Sequence, residues 1–236
     1  PQGGHNGNHL RKCCMKILIC GATGMVGQGV LREALLATDV TLVQTVGRTA
    51  TGITHPKLRE VLHANLLDLS AIEEQLAGFD ACFFCLGVSS VGMDEAAYTA
   101  INYDMPVAVG QVLSQRSPGA TFIYVSGAGT GSRPSIMWAR VKRRTEEALL
   151  ALPFKAAYMF RPGVIQPLHG ARSKTALYHA FYVLTSPLLT TARKLFPATV
   201  LSTDDLGIAM LNAVRHGAPK PVLESRDIRA LVDGAS

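Results

Sequence analysis

Long apolar runs and metal-ligand spacings are missing from this sequence of 236 residues. Its one CxxC pair, Cys82 and Cys85, lies in a strand pattern that points the two side chains to opposite faces, so no redox pair is predicted. No uninterrupted apolar run reaches the roughly 18 residues of a membrane-spanning helix, so we expect no membrane span. The five cysteines are odd in number and no secretory signal is evident, which argues against a disulfide-bonded secreted protein and predicts a cytoplasmic location. The seven histidines show no metal-ligand spacing, so no metal site is predicted.

Acidic residues are outnumbered, and the net charge is +6. A basic surface favours anionic ligands, among them nucleic acid. The densest basic cluster, residues 140–144, lies on a helical pattern that continues into Glu146 and Glu147, which favours a solvated helix face. No nucleic-acid-binding motif accompanies it, so nucleic-acid binding stays a minor alternative.

Strand and helix patterns alternate along nearly the whole chain. The strand patterns cover residues 16–20, 41–46, 58–63, 80–86, 120–126, 155–160 and 221–224. The helical patterns cover residues 25–37, 70–77, 94–115, 134–151, 175–185, 203–216 and 225–232. Such alternation predicts a doubly wound α/β fold, with a parallel sheet of about seven strands and helices on both faces.

A glycine-rich turn follows the first strand pattern. The chain reads Lys16-Ile-Leu-Ile-Cys20, then Gly21-Ala-Thr-Gly24-Met-Val-Gly27, ahead of an amphipathic helix. This order is typical of the phosphate-binding half of a Rossmann-type fold, where glycines allow a tight turn and close approach to a pyrophosphate. We therefore predict a nucleotide site at the helix start, with a plain turn as the alternative because the spacing is GxxGxxG rather than GxGxxG.

The second strand ends in a basic residue where an acidic one is typical of NAD sites. The chain reads Thr45-Val-Gly-Arg48-Thr49, and no acidic residue occurs between Val40 and Gly52. An acid would bond the ribose 2′-hydroxyl of NAD, whereas a guanidinium suits the 2′-phosphate of NADP. The predicted cofactor is NADP rather than NAD, with a surface arginine as the alternative interpretation of Arg48.

The chain is divided into a short leader and one domain. Residues 1–14 are polar and glycine-rich, and we interpret them as a disordered leader or cloning remnant. Residues 15–236 contain no repeat or linker and are predicted to form a single NAD(P)-binding domain. Within it, residues 166–200 depart from the alternation and predict a small substrate-side insertion. Its basic residues His169, Arg172 and Lys174 are candidates for binding an anion, a solvated loop being the alternative.

Further motifs follow the later strands. They are Asn65-Leu-Leu-Asp68-Leu69, Cys85-Leu86-Gly87, Ile101-Asn102-Tyr103, Tyr124-Val-Ser126, Arg161-Pro162-Gly163 and Leu223-Glu-Ser-Arg-Asp-Ile228. With the glycine turn, they make the chain from Met15 nearly to its end resemble the short-chain dehydrogenase/reductase superfamily. The resemblance is closest to its atypical or extended branch of NAD-dependent epimerase-like and Tat-interacting oxidoreductase-like proteins.

The resemblance implies where a dinucleotide would lie. Asp68 would contact adenine, the turn after the fourth strand would lie against the ribose, and the residues after the sixth strand would close over the nicotinamide. The cofactor-binding residues predicted from the motifs and the resemblance are Gly21, Thr23, Gly24, Met25, Val26, Gly27, Arg48, Asp68, Leu69, Leu86, Gly87, Lys142, Arg161, Pro162 and Gly163.

The resemblance also implies a catalytic set of asparagine, serine, tyrosine and lysine. Asn102, Ser126 and Lys142 match it by position, but the tyrosine is replaced in Trp138-Ala-Arg-Val-Lys142. The spacing keeps Trp138 and Lys142 on one helix face, yet an indole N–H only donates and does not titrate usefully. Other candidate proton donors are Tyr98, Tyr103, Tyr178 and Tyr182. A helix amide, a turn serine and a surface lysine are the structural alternatives for the matched residues.

These observations predict an NADP-binding oxidoreductase-like protein of the atypical short-chain dehydrogenase type, reducing a small carbonyl compound. The alternative is a catalytically impaired dinucleotide-binding regulator or scaffold, supported by the missing tyrosine. We expect a small-molecule substrate as partner, no nucleic acid and no membrane span, and leave a homodimer open.

Overall fold

The computed structural model describes residues 14–133, 135–171 and 199–234. Its strands are β1 (Met15–Cys20), β2 (Val40–Gly47), β3 (Leu58–Leu62), β4 (Ala81–Phe84), β5 (Thr121–Val125), β6 (Ala156–Arg161), β7 (Val164–Gln166), β8 (Val200–Ser202) and β9 (Val222–Glu224). Its α-helices are α1 (Met25–Leu36), α2 (Glu95–Thr99), α3 (Met105–Arg116), α4 (Met137–Leu150), α5 (Thr203–His216) and α6 (Ser225–Asp233). A 3₁₀ turn covers Glu73–Leu76, and a π-helical turn, Ala100–Asp104, joins α2 to α3.

Seven of these strands form one parallel sheet in the order β3-β2-β1-β4-β5-β6-β9. The chain winds outward from β1 in one direction through β2 and β3, and in the other through β4, β5 and β6. At such a reversal the loops diverge, and α/β proteins bind ligands in the crevice at the carboxyl ends of the strands. The predicted Rossmann-type sheet of seven parallel strands is confirmed.

Apolar side chains fill both faces of the sheet. Ile17 and Ile19 of β1 belong to the cluster that includes α1 and α5, whereas Leu18 belongs to the cluster on the other face, with α3 and α4. Successive strand residues point to opposite faces, so a strand that is covered on both faces needs a continuous apolar run. The central strands therefore appear in the sequence as uninterrupted apolar segments.

The helix predicted over residues 94–115 is interrupted by the π-helical turn. Pro106, in the first turn of α3, has no N–H to offer the carbonyl oxygen of Asn102, four residues earlier. That oxygen instead accepts hydrogen bonds from Tyr124 Oη at 3.2 Å and from Thr145 Oγ1 at 2.7 Å. The proline thus releases a backbone carbonyl toward β5 and α4.

Other differences are local. The helix predicted over residues 70–77 is only the 3₁₀ turn Glu73–Leu76. Strands β7 and β8, three residues each, pair with one another and were missed because their partners are far apart in sequence. The predicted helix 175–185 lies outside the described residues, as do Arg172, Lys174, Tyr178 and Tyr182. Among the helices of the described segments, none is both long and apolar enough to cross a membrane.

Candidate functional site

The glycine turn after β1 is packed too tightly for side chains at two of its positions. Gly21 has a φ of +86°, and a Cβ there would lie 2.5 Å from the backbone nitrogen of Leu86. A Cβ on Gly27 would lie 2.1 Å from the carbonyl oxygen of Gly21. At Gly24, by contrast, the nearest atom to a Cβ would be that same oxygen at 3.3 Å. Gly21 and Gly27 therefore shape the turn, whereas Gly24 leaves its outer surface open.

The start of α1 presents its positive end without a competing side chain. Gly24 is the N-cap residue, no side chain caps the helix, and its first turn contains no acidic residue. The helix α5 is capped differently, because Ser202 and Asp205 form a reciprocal capping box. The uncapped start of α1 therefore suits an anion such as a phosphate.

A cavity of about 220 Å³ opens in front of this turn, at the carboxyl ends of β1 to β4. Its lining includes the predicted residues Gly21, Thr23, Gly24, Arg48, Leu86 and Gly87. It also includes Thr45, Thr49, Thr51, His63, Ala64, Leu66, Cys85, Ile101 and Met105, which the sequence analysis did not single out. Met25, Val26 and Gly27 start α1 immediately behind this lining.

Arg48 lies exposed at the edge of the cavity. Within the described residues its guanidinium has no ion pair or hydrogen bond, and the cavity lining contains neither aspartate nor glutamate. The acidic Glu60 of β3 is occupied, since its Oε1 accepts a hydrogen bond from the Thr51 nitrogen at 2.7 Å. The cavity therefore carries a cation at this edge with no carboxylate to neutralise it.

His63 is a lining residue that follows β3 directly. Its Nε2 lies 2.8 Å from the Asn65 oxygen and 2.7 Å from the Asp68 oxygen, so the ring holds the loop after β3 closed. The position of His63 in the cavity wall could have been predicted from the sequence, because polar residues directly after parallel strands meet at one edge of the sheet.

Asp68, the adenine contact implied by the resemblance, and Leu69, another predicted cofactor-binding residue, are not brought to the cavity. The Asp68 carboxylate accepts hydrogen bonds from the Ser70 nitrogen and hydroxyl, which hold its pKa below the usual range. Leu69 is buried in the core. Neither lines the cavity, and His63 and Ala64 form that part of its wall.

Arg161 likewise faces away from the cavity lining. Its guanidinium binds the buried carboxylate of Glu146 through Nε at 2.9 Å and Nη2 at 2.5 Å, and it binds Glu224 through Nη1 at 3.0 Å. These carboxylates raise the pKa of Arg161. The N–H donors of Arg161 therefore bind carboxylates that connect α4, β6 and β9. This contact stabilises the fold and leaves the guanidinium occupied. The neighbouring Pro162 and Gly163 do not line the cavity either.

Lys142 and Asn102 of the catalytic set are connected through Tyr124. Lys142 Nζ donates to Tyr124 Oη and to the Val125 carbonyl oxygen, both at 3.3 Å. Tyr124 Oη in turn donates to the Asn102 carbonyl oxygen. The side-chain Oδ1 of Asn102 is buried and has no hydrogen-bond partner, close behind Gly87 in the cavity wall. Burial lowers the pKa of Lys142 to about 8, with the charge of Glu146 opposing the shift.

Ser126 and Trp138 lie beside this arrangement. Ser126 follows β5, and its Oγ lies 3.3 Å from Thr130 Oγ1. The Trp138 ring lies against the loop after β5, since a Cβ on Gly129 would be 3.7 Å from its Cη2. Within the described residues the indole N–H has no hydrogen-bond partner.

The described candidate tyrosines are poorly placed for proton donation. Tyr98 is 2% exposed, and burial raises its pKa to about 12. Tyr103 lies under the Arg144 guanidinium, whose Cζ is 4.7 Å from the ring centroid. Neither residue lines the cavity.

A second cavity, of about 740 Å³, lies on the other side of Thr23. Its lining includes His169, Arg32 and Asp204. His169, a candidate anion-binding residue, has a φ of +52° and places its Nε2 2.8 Å from Asp204 Oδ2. That carboxylate also lies 3.6 Å from Arg32 Nη1, so both basic groups already share an acidic partner.

Comparison with known proteins agrees with this fold. A model of the NAD dependent epimerase/dehydratase family matches residues 17–156. Among solved structures, the Bordetella bronchiseptica enzyme WbmF in complex with NAD+ superposes with a TM-score of 0.67 at 14% identity, over 94% of this chain and 79% of that one. At such low identity the structural likeness shows the fold alone.

Two curated relatives are fungal. The mitochondrial protein FMP52-1 of Scheffersomyces stipitis is 26% identical over 153 residues, which cover 64% of this chain and 67% of that protein. FMP52 of Eremothecium gossypii, also named mitochondrial, is 30% identical over 153 residues, covering 64% of this chain and 66% of that protein. The matches thus span about two thirds of these relatives. Their names contradict the expected cytoplasmic location, because free cysteines indicate a reducing environment without saying which compartment provides it.

Proposed function

Because the chain belongs to the NAD dependent epimerase/dehydratase family, we propose that it is an NADP-binding oxidoreductase that reduces a small carbonyl compound. The observation that carries the cofactor preference is that, among the residues the structure describes, the guanidinium of Arg48 has no partner and the cavity lining has no carboxylate. A guanidinium is planar and permanently charged, so it suits a phosphate, whereas the 2′-hydroxyl of NAD is usually bound by a carboxylate, which the described lining of the cavity does not contain.

The cavity residues fit a dinucleotide. A side chain at Gly21 would fill the turn, whereas the open side of Gly24 leaves room for a pyrophosphate beside the uncapped start of α1. When bound, the nicotinamide cofactor supplies hydride transfer, and the protein supplies orientation and charge. Leu86 and Gly87 would lie against a ribose, and Ser126 would orient the substrate carbonyl from the neighbouring strand end.

Thermal unfolding with each dinucleotide tests the proposal. NADPH should raise the melting temperature more than NADH at equal concentration, and Arg48→Ala should remove most of the difference. Arg226→Ala is the matched control, because Arg226 is exposed on α6 and is absent from the cavity lining. An equal or larger effect of NADH on the wild type would contradict the preference for NADP.

The second candidate function is a dinucleotide-dependent regulator without turnover. It is favoured by Trp138, which stands where the family resemblance implies a tyrosine and whose indole cannot act as the proton donor. Oxidation of NADPH across a panel of aldehydes and ketones separates the two functions. Tight NADPH binding with no turnover on any of them would favour the regulator.

A further inference from the structure

His63 and Arg48 occupy adjacent positions at the carboxyl ends of neighbouring strands. The His63 nitrogen donates to the Gly47 carbonyl oxygen at 2.9 Å, which continues the parallel pairing of β3 with β2 beyond its last pair, Gly47 and Leu62. Arg48 follows Gly47 directly, and both Arg48 and His63 line the cavity in front of the glycine turn. A guanidinium and an imidazole therefore border the same part of this cavity.

The loop after β3 fixes which nitrogen of the His63 ring carries a proton. Nε2 lies 2.8 Å from the Asn65 carbonyl oxygen and 2.7 Å from the Asp68 carbonyl oxygen. Carbonyl oxygens only accept hydrogen bonds, so Nε2 is protonated in the neutral ring as well as in the charged one. The nitrogen that gains or loses a proton is therefore Nδ1, which has no hydrogen-bond partner among the residues that the structure describes.

The charged groups around this ring leave Nδ1 available to a ligand. The end of β2 contributes the Arg48 guanidinium, which has no partner within the described segments. The acidic neighbours are Glu60 on β3, whose Oε1 accepts from the Thr51 nitrogen, and Asp68 on the loop, whose Oδ1 accepts from the Ser70 nitrogen and hydroxyl. Neither acid lines the cavity. An anion that enters the cavity is therefore the group that would favour a proton on Nδ1.

We propose that His63 binds the 2′-phosphate of NADP together with Arg48, and that Nδ1 takes up a proton from solvent as the phosphate binds. The inference rests on the proposed preference for NADP and names a second residue that produces it. A phosphate monoester has a second pKa of about 6 and so carries close to two negative charges at pH 7 and above, of which one guanidinium balances one. The protonated ring supplies the second positive charge and a further donor.

This role makes the choice between the two cofactors depend on pH. A ligand whose binding takes up a proton binds more weakly as pH rises, because fewer protons are available to the complex. NADH has a neutral 2′-hydroxyl, toward which the neutral Nδ1 can only accept a hydrogen bond, so its binding takes up no proton at His63. Histidine is the side chain whose charge ordinarily changes between about pH 5 and 8. The advantage of NADPH over NADH should therefore shrink as pH rises above about 7.

Calorimetric titration of the wild-type protein measures the proton directly. Binding enthalpies of NADPH and NADH are recorded at a pH of about 7.5, where the phosphate is almost fully dianionic, in buffers that differ in their enthalpy of ionisation. The slope of the binding enthalpy against the ionisation enthalpy gives the number of protons taken up. We expect uptake of part of a proton with NADPH and none with NADH.

His63→Gln separates the titrating group from the loop contact. Its amide N–H can still donate to the loop carbonyl oxygens, but it cannot titrate. It should abolish the proton uptake and weaken NADPH binding by about tenfold or more, because a charge-assisted hydrogen bond is lost, while NADH affinity stays the same. His216→Gln is the matched control and should change neither quantity, because His216 is exposed at the end of α5 and lines neither cavity.

The outcomes distinguish this inference from the proposed function. Equal proton uptake with both dinucleotides, while NADPH remains the tighter ligand, overturns the role of His63 and leaves the NADP preference intact; this result needs no variant to fold. Uptake that persists in His63→Gln overturns the role as well. Equal weakening of NADPH and NADH in that variant would assign His63 to a part that both cofactors share. If the wild type binds NADPH no more tightly than NADH, the NADP preference fails and this inference fails with it.

Discussion

Replacing Gly24 by alanine should abolish most dinucleotide binding while leaving the free protein almost as stable. A Cβ at this position meets only the Gly21 oxygen, at 3.3 Å, so the turn must yield by a few tenths of an ångström at most. Alanine is a poorer N-cap than glycine, but it restricts the unfolded chain, an effect of about 0.4–1 kcal/mol in the opposite direction. We therefore expect the free energy of unfolding without ligand to change by less than about 1 kcal/mol.

The effect on binding is expected to be much larger. The Cβ would occupy the side from which a pyrophosphate approaches the start of α1, and each charge-assisted hydrogen bond lost there costs about 1.5–3 kcal/mol. One such bond weakens binding roughly tenfold to a hundredfold. At a ligand concentration of a hundred times the wild-type Kd, stabilisation would fall from about 2.7 to about 0.4 kcal/mol for a hundredfold loss. For a chain of this size the melting shift would drop from roughly 5–11 °C to about 1–2 °C.

Two alanine variants make this experiment selective. Gly119→Ala is the neutral control, because nothing lies within 4 Å of a Cβ there and the residue does not line the cavity. Gly27→Ala should lose both stability and binding, because its Cβ would lie 2.1 Å from a backbone oxygen that must move. Differential scanning fluorimetry with and without NADPH measures all three variants. Wild-type affinity in Gly24→Ala would show that phosphates bind elsewhere.

Two further predictions concern α4. Trp138→Tyr places a phenol one helical turn from Lys142, so it should raise the rate of carbonyl reduction and shift the pH at which that rate declines. An unchanged dependence of the rate on pH would refute a site shared by residue 138 and Lys142. Arg161→Met leaves the 4%-exposed carboxylate of Glu146 without its partner and should lower the free energy of unfolding by about 3–5 kcal/mol in chemical denaturation. Arg143→Met, which breaks an exposed pair with Glu147, should cost no more than about 0.5 kcal/mol, and equal losses would contradict this distinction.

The parts of the molecule that could be predicted are those with local signals. Apolar strands covered on both faces appear as continuous runs, and the turn Gly21–Gly27 is contiguous, so the sheet and the start of the cavity follow from the sequence. Arg48 is a local signal too, because it directly follows β2. Pairings between distant elements leave no such signal. The motif at Arg161 suggested a contact with the cofactor, but its guanidinium meets Glu146 once α4 packs beside β6.

The surroundings of Lys142 show how a local signal and a distant one combine. Pro106 is a local feature of the sequence, and its missing N–H leaves the Asn102 carbonyl oxygen available to another donor. That donor, the Tyr124 hydroxyl, is brought to the oxygen by β5, which the sequence alone does not show. The phenol then orients toward a lysine that α4 supplies. Because these acceptors belong to the fold, the ammonium is held in place without any ligand. A lysine held this way by neutral groups can release its proton near neutral pH, whereas one paired with a carboxylate would keep it.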